Sequence, residues 1–139
     1  MKVVIAPMVQ FWVRLAHPPP RIVVTVFHST SSATTELSSL LSGDTTTKSS
    51  SRLGSNTAAS EAVAPKAVVA GAGFSQDEVE TMRREISGGE KLAWFHPTKT
   101  QAQKPWEPGF MEGVVGRAKT ALEEHATGDG GIEAGLFGF

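Results

Sequence analysis

Two short stretches of this chain carry groups of the kind that hold small ligands. The first is Gly71-Ala72-Gly73-Phe74-Ser75, lying between an apolar run and a helix start. In that setting backbone amides gather around a phosphate. Gly71, Gly73 and Ser75 are therefore candidate cofactor-binding residues, with the amides at the head of the next helix as donors. The dinucleotide fingerprint also asks for a glycine at position 76, where Gln76 stands, and the lysine of a phosphate loop is missing. Without a ligand the same glycines make a tight strand-to-helix turn. The second stretch is His96-Pro97-Thr98-Lys99, just past another apolar run. An imidazole, a hydroxyl and an ammonium at the carboxyl end of a strand suit a phosphate or carboxylate. His96, Thr98 and Lys99 join the candidate set. The plainer reading is a solvated loop in which Pro97 ends the strand.

Other chemistry finds little support in the residues. His17, His28, His96 and His125 nowhere stand at metal-ligand spacing with each other or with nearby carboxylates, so no metal ligand is assigned. The chain has no cysteine and no tyrosine, which removes disulfides, thiolate ligands, cysteine nucleophiles and tyrosine acids. No serine sits in a Gly-x-Ser-x-Gly elbow. Glu123 and Glu124 are adjacent on a helix and diverge. No catalytic residue is assigned. Lys99, Lys104 and Trp106 make a basic-aromatic patch, but Glu107 and a net charge of −1 point away from nucleic acid.

The elements that must position these groups read as follows. Lys2 to Ala6 and Arg21 to Phe27 are β-branched, nearly continuous apolar runs, as expected of strands buried on both faces. Met8 to Ala16 has weak helical character, and Pro18-Pro19-Pro20 must end it. Leu37, Leu40 and Leu41 give a brief helical spacing over 36–41. From residue 42 to 64 serine and threonine dominate. Such a segment buries too little apolar surface to offset its ordering entropy, which predicts a disordered linker. Lys66 to Ala70 then reads as a strand. Ser75 and Glu78 stand at capping-box spacing, and Val79, Met82 and Ile86 follow at helical spacing over 76–87, with Gly88-Gly89 as the stop. Lys91 to Phe95 is a further strand. Residues 109–125 form a second helix with Phe110, Val114, Ala118 and Ala121/Leu122 as its apolar stripe. Trp94 and Phe110 belong to the core. The glycine-rich tail from Gly130 ends in Leu136-Phe137, a candidate edge strand.

Strands alternating with helices imply parallel pairing with helices on the sheet faces. The expected fold is a small, incomplete parallel α/β sheet of Rossmann-like type, interrupted by a disordered Ser/Thr-rich linker. Its parts are a strand-rich segment over 1–41, the linker over 42–64, and a βαβα unit with a tail over 65–139.

Several of these residues also carry a family likeness. Gly71-Ala72-Gly73-Phe74-Ser75, Glu78-Val79, Met82-Arg83, Ala93-Trp94-Phe95, Pro97-Thr98-Lys99, Arg117 and Leu122-Glu123-Glu124 resemble the carboxyl-terminal part of small fungal Rossmann-like proteins. The resemblance covers residues 66–139 and implies an NAD(P)-type ligand. Such proteins would carry a nucleotide loop after their first strand, yet Ala6 to Phe11 holds no glycine. On that resemblance the cofactor-binding half is altered or lost, as a shortened or misassembled gene model would explain.

The functional expectations follow in order. A non-catalytic protein with a weak phosphate- or nucleotide-type anion site comes first. An NAD(P)-dependent oxidoreductase or a hydrolase with dispersed residues, His96 as acid/base and Lys99 as anchor, comes second. A self-associating or partner-binding module using Leu136-Phe137 comes third. The apolar amino terminus is too interrupted for a membrane span and lacks the order of a secretory signal. Arg14 and Arg21 with no acidic residue before Glu36 resemble a mitochondrial transit composition, but the prolines argue against a targeting helix, so a cytoplasmic protein is expected.

Overall fold

The computed structural model describes residues 2–5, 22–27, 29–71, 73–98 and 107–139. The expectations for Met8 to Ala16, for Ala6 to Phe11, for Lys99 and for Lys104 and Trp106 lie outside the described residues.

Five strands, β1 (Lys2–Ile5), β2 (Ile22–Val26), β3 (Ala67–Val69), β4 (Ala93–His96) and β5 (Gly135–Gly138), form one sheet in the order β2-β1-β3-β4-β5. Every pairing is parallel. β1 lies between β2 and β3, so the amino-terminal strands and the 65–139 unit share one sheet. The order 2-1-3-4-5 is one of the two common doubly wound orders. The direction of travel reverses between β1 and β3.

Among the described residues three helices cover the sheet: α1 (Thr30–Leu41), α2 (Gln76–Glu85) and α3 (Phe110–Glu124). α1 starts well before the leucine spacing does. Its first two turns are serine and threonine, poor helix formers. Ser29 and Ser32 compensate with a reciprocal capping box, and Ala33, Leu37 and Leu40 are buried. Tertiary burial, not propensity, holds this helix. α2 matches its signals closely: Ser75 caps it, and Gly88, at φ 83°, supplies the left-handed turn beyond it.

Successive side chains of a strand point to opposite faces, and the two core clusters divide accordingly. Val68, Ala70, Trp94 and Leu136 pack with α1 and α2 through Leu37, Val79 and Met82. Ala67, Val69, Ala93, Phe95 and Phe137 pack with α3 through Val115, Ala118 and Leu122. This division has a topological consequence. β3, β4 and β5 step across the sheet in one direction, all parallel, while α2 lies on one face and α3 on the other. The two crossovers therefore have opposite hands, and one of them is the rare left-handed kind.

Residues 42–64, where composition predicts a disordered linker, follow a tied path. Ala62 N–H donates to Thr45 O (2.7 Å), which brings the ends of the excursion together. Asn56, 1% exposed, donates to Val63 O and accepts from Val63 N–H, both at 2.9 Å. Lys48 Nζ donates to Ala59 O. Glu36 of α1 accepts from Ser50 N–H at 3.0 Å, and Leu53 packs on the α3-side core. The 3-10 turn Ser55–Thr57 lies against the edge strand β2. The segment has few apolar groups to bury, so polar side chains bonded to its own backbone give it shape, as in compact surface loops.

Candidate ligand site on the carboxyl rim

β3 and β4 end side by side. Past Val69 the pairing continues for one residue, with Ala70 N–H donating to Phe95 O (2.8 Å). The chain then turns through Gly71 to Ser75, closed by Phe74 N–H donating to Gly71 O (3.1 Å), and enters α2. Gly73 is exposed, has an ordinary φ, and has open space where a Cβ would stand. Neither backbone strain nor close approach within the protein requires a glycine there.

His96 closes β4 and is 7% exposed. Its Nε2 lies 2.6 Å from Phe74 O. A carbonyl oxygen only accepts, so Nε2 carries the hydrogen, and in the neutral ring Nδ1 is left with a lone pair. Nδ1 is buried and has no hydrogen-bond partner. The same bond fastens the Gly71–Ser75 turn to the end of β4, so the structure brings these two candidate stretches together.

The helix terminus differs from the expected external anion cradle. Ser75 N–H donates to Glu78 Oε2 (2.8 Å), while Ser75 Oγ accepts from Glu78 N–H (3.2 Å). The chain's own carboxylate already takes one rim amide. Those bonds, the backbone one first, hold the Glu78 carboxyl below its ordinary value. Asp77 adds a second negative charge in the first turn.

Thr98 is placed elsewhere. Its N–H donates to Phe139 O (3.2 Å), and Phe139 N–H donates to His96 O (3.1 Å), so this part of the rim is laced to the end of β5. A Cβ at Gly138 would stand 2.2 Å from Thr98 Oγ1, so that glycine is needed for the close approach. Lys99 is outside the described residues. Beneath the rim, the apolar gap bounded by Phe27, Phe74 and Trp94 measures about 10 Å³, too small for any ligand. A larger groove of about 510 Å³ runs between α1 and α2, lined by Thr30, Thr34, Thr81, Asp77, Glu78 and Glu85.

Sequence reasoning missed two partners. The Phe74 carbonyl has no signal in a sequence, since any residue could supply it. His125, at the end of α3, pairs through Nδ1 with Glu133 Oε2 at 3.1 Å and stacks on Phe137 with centroids 3.6 Å apart. Among the described residues no group of histidines and carboxylates is arranged to hold a metal ion. Among the same residues no helix is long and apolar enough to cross a membrane.

No protein-family model, no curated protein and no solved structure matches the chain.

Proposed function

We propose that this chain is a small-ligand-binding α/β protein whose site lies where the Gly71–Ser75 turn meets His96, and that it binds rather than transforms its ligand. One observation carries the reading: the bond from His96 Nε2 to Phe74 O brings the two candidate stretches together beyond the carboxyl ends of β3 and β4. The location supports it in that the turn and His96 lie beyond the carboxyl ends of β3 and β4, one strand from the reversal between β1 and β3 where doubly wound sheets take ligands. The ligand is of nucleotide or sugar-phosphate type, the class implied by the likeness to Rossmann-like proteins. The strand order, 2-1-3-4-5, departs from the 3-2-1-4-5 order of that fold.

A thermal-shift panel of nucleosides, nucleotides, sugars and phosphate tests the proposal. A ligand at ten times its Kd stabilises by about 1.4 kcal/mol, and that gain disappears in His96→Phe. No stabilisation by any member at millimolar concentration removes the reading.

A second reading, self-association, is favoured by the open edge of β5. Gly135 and Phe139 direct their amides to β4, which turns the backbone groups of Leu136 and Gly138 outward at the end of the sheet. A monomeric mass by light scattering up to about 1 mM rules out an affinity tighter than that.

A further inference from the structure

We infer that residues 42–64 are a strap over the β2 edge of the sheet, and that what the strap holds off is a second copy of this chain pairing there strand to strand. The inference does not depend on the rim site. β2 (Ile22–Val26) stands at the end of the sheet with β1 as its partner, so about half of its backbone amides and carbonyls turn away from β1. An end strand of this kind is a template for another chain unless charge, proline or a cover blunts it. Ile22-Val23-Val24-Thr25-Val26 has neither charge nor proline. Every residue in it is β-branched, the composition that pairs most readily. β5, at the other end of the sheet, is Gly-Leu-Phe-Gly, and its glycines make it a poor template. The cover lies over the end that needs one.

The path of the segment supports this. Leu41, at the end of α1, packs on the core that α1 shares with α2, and Ser50 N–H still donates to Glu36 of α1 at 3.0 Å. Three residues on, Leu53 packs on the core of the opposite face, with Val115 and Leu122. A chain changes faces only past an edge or beyond the strand ends, and the turn that follows, Ser55–Thr57, runs alongside β2. Asn56 in that turn is buried and bonded both ways to Val63. Ala62 N–H to Thr45 O then locks the base. The strap is fastened on both faces and closed at its root, and a strand arriving at β2 has to displace it.

The experiment shortens the strap in the otherwise full chain. Because Thr45 O and Ala62 N–H are already bonded, two glycines in place of residues 46–61 close the gap as a β-turn. Light scattering gives the mass of each protein, and amide exchange locates the contact. In the shortened chain at least half of the molecules pair at about 0.1 mM, as a Kd near that value gives, beyond any association of the full chain. Protection at residues 22–26 rises with concentration. A mass that matches the full chain across the same range overturns the inference. So does association that protects residues 135–138 and leaves 22–26 exchanging as before, an outcome that belongs to the open β5 edge. If the circular-dichroism spectrum of the shortened chain shows that it has not folded, Asn56→Ala answers in its place. Exchange at 22–26 then speeds at least tenfold more than at 67–69, in the middle of the sheet. Equal acceleration in the two strands overturns the inference.

Discussion

The His96 ring donates through Nε2 to the carbonyl of Phe74 at 2.6 Å, joining the end of β4 to the turn that leads into α2. That bond does two things at once. It satisfies a buried carbonyl, and it decides which ring nitrogen carries the hydrogen. Among the described residues other rim groups pair within the chain: Ser75 with Glu78, Thr98 with Phe139, and Phe139 with His96.

Replacing Ser75 with alanine removes the cap of α2 and costs about 1 kcal/mol, measurable by urea unfolding at neutral pH. It also alters the response to acid. The folded carboxyl of Glu78 is depressed below its ordinary value of 4.5, chiefly by the Ser75 backbone amide and then by the Ser75 hydroxyl. Its contribution is complete above that value and is lost as pH falls through the lower, folded one. Ser75→Ala removes the hydroxyl part, so the wild-type advantage shrinks as melts are taken from about pH 6 to about pH 3. An advantage that is constant with pH contradicts this.

Asn56→Ala deletes both bonds to the Val63 backbone inside the 45–62 excursion. The expected loss is about 1–2 kcal/mol, since two hydrogen bonds go and the backbone groups of the exposed Val63 turn to water. Limited proteolysis should then cut between residues 45 and 63 at a protease level the wild type resists. Equal resistance in the two proteins means that other contacts hold the excursion.

Gly89 sits under the indole of Trp94, whose Nε1–H donates to its carbonyl at 2.8 Å. A Cβ there would stand 2.5 Å from the backbone oxygen of Arg83, which cannot move without disturbing the end of α2. Gly89→Ala is expected to cost about 1–3 kcal/mol, the usual penalty of overpacking. Trp94 fluorescence during urea unfolding reads the change. A loss below about 0.5 kcal/mol, the range of ordinary surface changes, shows that the turn relaxes freely.

His125 ties the end of α3 to the approach to β5 by its pair with Glu133 and its stack on Phe137. The hydrogen bond to Glu133 is largely exposed and contributes little, whereas the stacked ring buries apolar surface. His125→Gln is therefore expected to destabilise more than Glu133→Gln, by about 1 kcal/mol. Thermal melts of the two variants decide it, and equal losses would assign the effect to charge.

Much of the second half could be read from its residues. The spacing Ser75-x-x-Glu78 located the start of α2 to the residue, because the cap is a local interaction between neighbours in sequence. β3 and β4 were legible as apolar runs, and the tail as a candidate edge strand. Which face takes which helix was not. Trp94 and Phe95 are both large and apolar, so alternation carries no signal in a strand covered on both sides. The opposite hands of the α2 and α3 crossovers follow from that division alone. α1 was half hidden, because serine and threonine over its first turns mask a helix held by burial of Leu37. The tied path of residues 42–64 depends on Asn56 finding Val63, a pairing with no periodicity. For the site, the two candidate stretches were found separately, and what joins them is a backbone carbonyl, which a sequence does not distinguish.

The central claim is that His96 fastens the Gly71–Ser75 turn to the end of β4 through a hydrogen on Nε2. A long-range 15N–1H correlation spectrum of the imidazole rings at about pH 8 tests it directly, since the two nitrogens of each neutral tautomer respond differently. The account predicts that the His96 ring carries its hydrogen on Nε2, with Nδ1 unprotonated. A ring protonated on Nδ1 alone at that pH would contradict it, because Phe74 O would then lack its donor.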